Sequence, residues 1–258
     1  MQPSWKISDP VVTMSQRHIP ILMYHQTAPT PPKGAPLRGL VVSPQTFSRQ
    51  MAALAALGFR GLSMTGLQPY LSGEKQGRVV GITFDDGYEN TLRNALPVLQ
   101  RHGFSSTCYV VSGMVGQRNA WDAHHGIAQV PLMTREQLQL WIDGGQEVGS
   151  HSVTHADLGQ LAQPEQLREV LDSKSQLENM VNQPQGVQHF CYPYGHLNDS
   201  AVECVRHAGY LTATTTARGR VAVTSAMDKL LLPRVLVSRT TSWPQLLLKC
   251  LTHYEEGR

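Results

Sequence analysis

Three short stretches of this sequence concentrate side chains suited to hydrolytic chemistry. The first is Thr83-Phe84-Asp85-Asp86-Gly87, where two adjacent carboxylates end an apolar run. Carboxylates at the end of a buried strand are costly unless a metal ion compensates them or one has a reason to hold a proton. The competing reading is an Asp-Gly turn with both carboxylates in water. The second stretch is Ser150-His151-Ser152-Val153-Thr154-His155. Histidines four apart can turn two imidazoles toward one cation, on a helical turn or a curling loop; a pair of surface or capping histidines is the alternative. No glutamate follows His151, so this is not the HExxH pattern of metalloproteases. The third is Phe190-Cys191-Tyr192-Pro193-Tyr194-Gly195. Proline and glycine around a tyrosine force a turn, which either aims a backbone N–H into a pocket or merely ends a strand.

All three lie at the ends of predicted strands. Runs rich in β-branched and aromatic residues predict strands over 19–25, 59–64, 79–86, 105–111, 146–151, 189–194, 211–216 and 231–237. Helices are predicted between them. Ser43 and Pro44 open one over 44–57, which stops before Gly58. Others cover 90–102, 164–181, 200–208 and 243–254, and a capping-box pattern at Thr134 and Gln137 opens one that stops at Gly144-Gly145. Repeated β–α alternation predicts parallel strands joined by crossover helices. The expected fold is therefore α/β, a distorted barrel of about seven or eight strands, in one domain over 1–258 with 1–17 a flexible segment. No GxGxxG follows the first strand, which counts against an open dinucleotide-binding sheet. Two long loops interrupt the pattern. Residues 27–39 hold Pro29, Pro31, Pro32 and Pro36, and residues 112–133 hold Trp121, Asp122, His124 and His125. Loops of that length inside a domain are usually functional.

Composition removes several classes of function. The chain has 258 residues, 41% hydrophobic and 16% charged, which suits a folded domain rather than a disordered one. The net charge of +3 comes from scattered basic residues, with no run that would track a phosphate backbone, so nucleic acid is not an expected partner. Cys108, Cys191, Cys204 and Cys250 form no CxxC pair and read as buried free thiols. No apolar run approaches the roughly 18 residues of a membrane span. Residues 1–17 lack a basic stretch leading into an apolar one, so no signal peptide is legible. The expected location is the cytoplasm as sequenced, or the periplasm or cell surface if a leader was removed.

Taken in order and at these strand ends, TFDDG, HSVTH and YPYG resemble the motifs of the polysaccharide deacetylases (carbohydrate esterase family 4, NodB-like). The resemblance covers roughly residues 19–237. The opening Pro20-Ile21-Leu22-Met23-Tyr24-His25 is similar to the first strand of the poly-β-1,6-N-acetylglucosamine deacetylases, a subgroup with circularly permuted motifs. The family consists of metal-dependent hydrolases that remove N-acetyl groups from glycans. The resemblance implies Asp86, His151 and His155 as metal ligands, Asp85 as general base and the backbone N–H of Tyr194 as an oxyanion donor. It also implies His25 as general acid, a role for which a buried core histidine is the plain alternative and His253 the competing candidate. Zinc suits two imidazoles and a carboxylate; cobalt, nickel or iron suit them too.

One departure from the family's pattern stands out. That pattern begins the third motif with an arginine that orients the catalytic aspartate, and here the stretch is Phe190-Cys191-Tyr192. Arg234, alone in the apolar stretch Leu232-Pro233-Arg234-Val235, is the candidate replacement; its alternative is a cap on the barrel rim. The carboxylate partner of His25 is unassigned. The expected substrate is an N-acetylglucosamine-containing glycan. The alternatives are a small acetylated sugar, a glycolipid or a non-sugar amide, favoured by the missing leader, and an inactive carbohydrate-binding relative. Trp121, Tyr192 and Trp243 are candidates for stacking on sugar rings.

Overall fold

The structure, a computed structural model, describes residues 17–256, apart from the side chain of His124. Its main strands are β1 (Ile21–Tyr24), β2 (Arg60–Leu62), β3 (Val79–Phe84), β4 (Thr107–Val110), β5 (Glu147–Ser150), β6 (His189–Cys191), β7 (Thr212–Arg218) and β8 (Leu232–Leu236). Parallel pairing runs β1-β8-β7-β6-β5-β4-β3, and β3 pairs back onto β1 to close a seven-stranded barrel. The other edge of β3 serves two partners, β2 along 79–81 and β4 along 83–84. The eighth strand is thus a wedge at the N-terminal end of the barrel. Gly61 permits it, because a Cβ there would lie 2.6 Å from Ile82 and from the ring of Phe104. The expected barrel of seven or eight strands is the fold observed.

Among the described residues, six of the seven α-helices stand close to where the sequence placed them: α1 (Pro44–Ala56), α3 (Glu89–Arg101), α4 (Arg135–Asp143), α5 (Gln163–Met180), α6 (Asp199–His207) and α7 (Trp243–Leu251). Ser43 caps α1 by accepting from the N–H of Thr46, and the capping box of Thr134 and Gln137 opens α4. Every residue of β3 is buried, as expected of a strand covered by helices on one side and filling a barrel on the other. The layer between barrel and helices includes Phe47, Met51, Phe84, Trp141, Val148 and Phe190. Among the described residues, no helix is long and apolar enough to cross a membrane. Of the expected flexible segment, residues 1–16 lie outside the described residues. Arg17 is held, its guanidinium donating to the carbonyls of Tyr70 and Lys75.

The remaining helix, α2 (Met64–Leu71), is absent from the sequence reading, which stops at a strand over 59–64. Gly66 and Pro69 look like breakers, yet burial of Met64, Leu67, Tyr70 and Leu71 in a second core with Ile19, Val79 and Val221 outweighs their poor propensity. This core closes the N-terminal end of the barrel. The first N–H groups of α2 find partners there: Met64 N–H donates to Thr107 Oγ1 and Thr65 N–H to Glu147 Oε2.

Glu147 also accepts from the hydroxyls of Thr107 and Thr65 and faces Nε2 of His189 at 3.4 Å. Burial pushes its carboxyl up, but His189, Thr107 and Thr65 outweigh that and leave it lowered to about 2 from 4.5. A depressed folded-state value stabilises the fold above pH 4.5, and the gain disappears as pH falls toward 2. It amounts to about 3 kcal/mol. Glu147→Gln is therefore expected to lower the melting temperature at pH 7 and to flatten its fall between pH 5 and pH 3. A variant with the wild-type melting curve at both pH values would show that the network contributes nothing.

Candidate active site

At the C-terminal end of the barrel, where such folds build their sites, β1, β3 and β8 are neighbours. They bring together His25, just after β1, Asp85, just after β3, and Arg234, within β8. Arg234 is completely buried. Its Nη1 donates to Asp85 Oδ1 at 2.7 Å and its Nη2 to Asp85 Oδ2 at 2.8 Å, a two-pronged clamp on one carboxylate. Nε donates to the carbonyl of Thr215, Nη1 also reaches Thr83 Oγ1, and Nη2 lies 3.2 Å from Sγ of Cys191. This guanidinium comes from β8, outside the third motif, and rests against Cys191 of that motif. Burial pushes the Asp85 carboxyl up; Arg234, supported by His25, reverses this and holds it below its ordinary value. Nε2 of His25 stands 3.9 Å from Asp85 Oδ2.

Beside this pair, Asp86, His151 and His155 turn their donor atoms toward one point. Nε2 of His151 lies 3.5 Å from Asp86 Oδ1 and Nε2 of His155 lies 3.4 Å from it. Two ligands on zinc at about 2.1 Å and the tetrahedral angle stand about 3.4 Å apart, so the spacing fits a shared cation. The donor chemistry fits as well. Nδ1 of His151 donates to the carbonyl of Cys191 at 2.7 Å, so Nε2 is the nitrogen turned toward Asp86 and the one that a cation would take on displacing its proton. Burial pushes Asp86 up, but the facing imidazoles of His151 and His155 hold it well below the usual carboxylate range. Asp85, His151 and Cys191 are also close together, but they make a poorer donor set because the Asp85 oxygens are taken by Arg234 and the second nitrogen of His151 is already bonded.

The backbone around the site is strained. Among the described residues, five non-glycine residues have positive φ: Leu37, Asp86, Ser152, His155 and Tyr194. Such conformations are uncommon for side-chain-bearing residues, and they cluster where function needs them. The HSVTH loop is held in this shape from α5, where Glu169 accepts from the N–H groups of Val153 and Thr154 and from the Thr154 hydroxyl. His155 N–H donates to Ser152 Oγ.

A cavity of about 620 Å³ opens over these groups and is lined in part by His25, Asp85, Asp86, His151, His155 and Tyr194. Both long loops border it. Asn119 ties the second loop to itself through Val130 N–H and the carbonyl of Ala128. Trp121 stacks on the ring of His155, with centroids 4.6 Å apart, rather than standing free for a sugar. Tyr194 packs edge-on against the same imidazole and donates its hydroxyl to Asp122. Tyr88, directly after the TFDDG motif, borders the cavity; burial and then the charge of Asp86 hold its phenol well above its ordinary value.

The roles of Glu169, Tyr88 and Asp122 were not read from sequence. Tyr88 carried a local signal in its place beside the double aspartate, Asp122 carried one in its long loop, and Glu169 carried none. Tyr192 is buried at the cavity, whereas Trp243 is half-exposed in a separate groove against α1. His125 borders the cavity, and the side chain of His124 lies outside the described residues. His253, the competing acid, is 70% exposed beside Glu256 and His18 and does not border the cavity.

Known proteins share this architecture. YxkH of Bacillus subtilis, whose name describes a polysaccharide deacetylase, is 29% identical over 81% of this chain and 68% of its own length. A poly-β-1,6-N-acetyl-D-glucosamine N-deacetylase of Staphylococcus aureus is 25% identical over 78% of this chain and 69% of its own. The solved structure of the Streptococcus pyogenes deacetylase PplD, in complex with acetate, superposes with a TM-score of 0.80 at 27% identity, covering 92% of this chain and 100% of that one. The sequence profile of the polysaccharide deacetylases matches residues 72–213, a stretch that runs through both aspartates, both histidines and Tyr194. With more than half its length inside that match, the chain belongs to the polysaccharide deacetylase family.

Proposed function

We propose that the protein is a metal-dependent N-deacetylase that hydrolyses the acetamide of an N-acetylglucosamine-containing glycan. The observation that carries this reading is the buried, arginine-clamped Asp85 beside the converging donors of Asp86, His151 and His155. A divalent cation held by those three, zinc by ligand type with cobalt, nickel or iron as substitutes, supplies Lewis acidity toward the amide carbonyl and acidifies water. Asp85, ionised at neutral pH, accepts a proton from the attacking water. Arg234 holds both of its oxygens, so the base keeps one orientation toward the substrate. The backbone N–H of Tyr194 donates to the oxyanion as the carbonyl becomes tetrahedral. His25, protonated, delivers a proton to the leaving amine, which departs poorly without one. The C–N bond breaks, and acetate and a free amine result. The presence of the base and all three candidate ligands favours an active enzyme over a binding relative.

The test is acetate release from β-1,4- and β-1,6-linked N-acetylglucosamine oligomers by metal-stripped protein, with and without added zinc or cobalt. Release is expected only with metal. Stoichiometric metal binding without release from either series would move the substrate to a small or non-sugar amide. Failure to bind metal at all would overturn the proposal.

A further inference from the structure

Resting on the deacetylase reading above, we infer that the substrate carries an apolar group, alkyl or aryl, on or close to the amide that is cleaved, and that the two long loops form the wall that receives it. The cavity is lined by the polar candidate catalytic groups and by a set of apolar side chains. Besides the catalytic groups, its lining includes Pro31, Pro36 and Leu37 of the first loop, Leu40 directly after it, and Ile127 and Val130 of the second. None of these side chains can donate or accept a hydrogen bond. Several polar neighbours already have partners: Asn119 bonds the backbone of its own loop, Oδ1 of Asp122 accepts from Tyr194, and Oε1 of Gln26 accepts from Asn90, while Tyr88, His125 and Thr216 add to the polar lining. Against the apolar side chains themselves, the hydroxyls of a further sugar ring would lose water without gaining partners. An apolar group loses nothing there, and pockets of this size bind ligands through such surfaces.

Leu37 is the second observation. It is 50% exposed, an unfavourable setting for a leucine, and its backbone is left-handed at φ 51°. The turn around it is held by Leu40 N–H donating to the Leu37 carbonyl and by Arg38 Nε donating to the carbonyl of Pro31. The other four strained residues lie in the candidate catalytic motifs. Leu37 shares their conformation and borders the same cavity, so its side chain is placed there by the fold.

The apolar group has two possible sources, the aglycone of the sugar or an N-acyl chain longer than acetyl, and two substrate series separate them. One varies the alkyl glycoside of N-acetylglucosamine from methyl to butyl to hexyl. The other varies the N-acyl group of the methyl glycoside from acetyl to butyryl to hexanoyl. In one series kcat/KM is expected to rise about fourfold for each methylene that buries, or about 30-fold for a hexyl chain with half its added length covered. The rise should fall mainly on KM. Leu37→Asn, which tolerates a left-handed backbone, should pull the hexyl-to-methyl ratio toward one. Flat series from an enzyme that does release acetate would overturn the inference. Calorimetric titration of the zinc-loaded protein with the free-amine methyl and hexyl glucosaminides, and of the zinc-loaded Asp85→Asn variant with the N-acetyl and N-hexanoyl methyl glycosides, requires no turnover. Tighter binding by the longer member of either pair, with a negative heat-capacity change, supports the inference even if no substrate releases acetate, in which case only the deacetylase reading fails. Equal affinities within both pairs overturn the inference even if acetate release is normal.

Discussion

Asp85→Asn is expected to lower acetate release by about a thousandfold while leaving metal binding intact, because a positioned general base contributes on the order of 10²–10⁴. The three candidate ligands are untouched, so metal content measured on the purified variant should remain stoichiometric. The substitution has a second consequence. Asp85 is the carboxylate held by both Nη atoms of the fully buried Arg234. A carboxamide in its place accepts from one prong and presents an N–H to the other, leaving a buried cation without its counter-charge. A fall in stability of several kcal/mol is therefore expected alongside the loss of rate. The rate must be read at a temperature where the variant is folded, as judged by its own melting curve. A folded, metal-loaded variant with a near-normal rate would remove Asp85 from the role of base.

Arg234→Met is expected to be among the most destabilising single changes in the chain, costing about 3–5 kcal/mol. It removes the partner of a buried carboxylate and also the donor that the Thr215 carbonyl accepts from, while the Thr83 hydroxyl keeps its bond to the Leu22 carbonyl. Replacing both partners, as Asp85→Leu with Arg234→Met, removes the unpaired charge and is expected to recover much of the stability. The rate should stay at the floor set by loss of the base. Urea denaturation of the wild type, the two single variants Asp85→Leu and Arg234→Met, and the double variant forms a cycle, with a coupling of about 3 kcal/mol expected for groups in such contact. Acetate release from the same four proteins separates positioning from stability. Additive stabilities would show that the clamp contributes nothing to the fold. Full activity in a folded Arg234→Met would show that it does not orient the base.

Much of the site was legible because its chemistry is encoded at short range. Asp85 and Asp86 are adjacent, His151 and His155 are four apart, and each pair ends a run whose β-branched residues mark a strand. The β/α alternation was legible for the same reason, since strand and helix periodicities and caps are local. The helix α2 was not, because Gly66 and Pro69 argue locally against the helix that burial of Leu67, Tyr70 and Leu71 enforces. Glu169 gives no local sign that it braces a loop sixteen residues away through Val153.

Arg234 shows most plainly where sequence stops. A lone arginine in an apolar strand signals a partner, and only the family resemblance, not the neighbouring residues, pointed to Asp85. That partner is 149 residues away and is chosen only when β1 pairs with both β3 and β8, closing the barrel and placing their C-terminal ends side by side. The same closure sets Trp121 on His155 and faces two distant loops across one cavity. The sequence by itself determined the elements and the kinds of chemistry available, because periodicity, capping and ligand spacing are properties of neighbouring residues. Only the tertiary structure decided which charge answers which, and what kind of wall the substrate meets, because both depend on contacts between segments far apart in the chain.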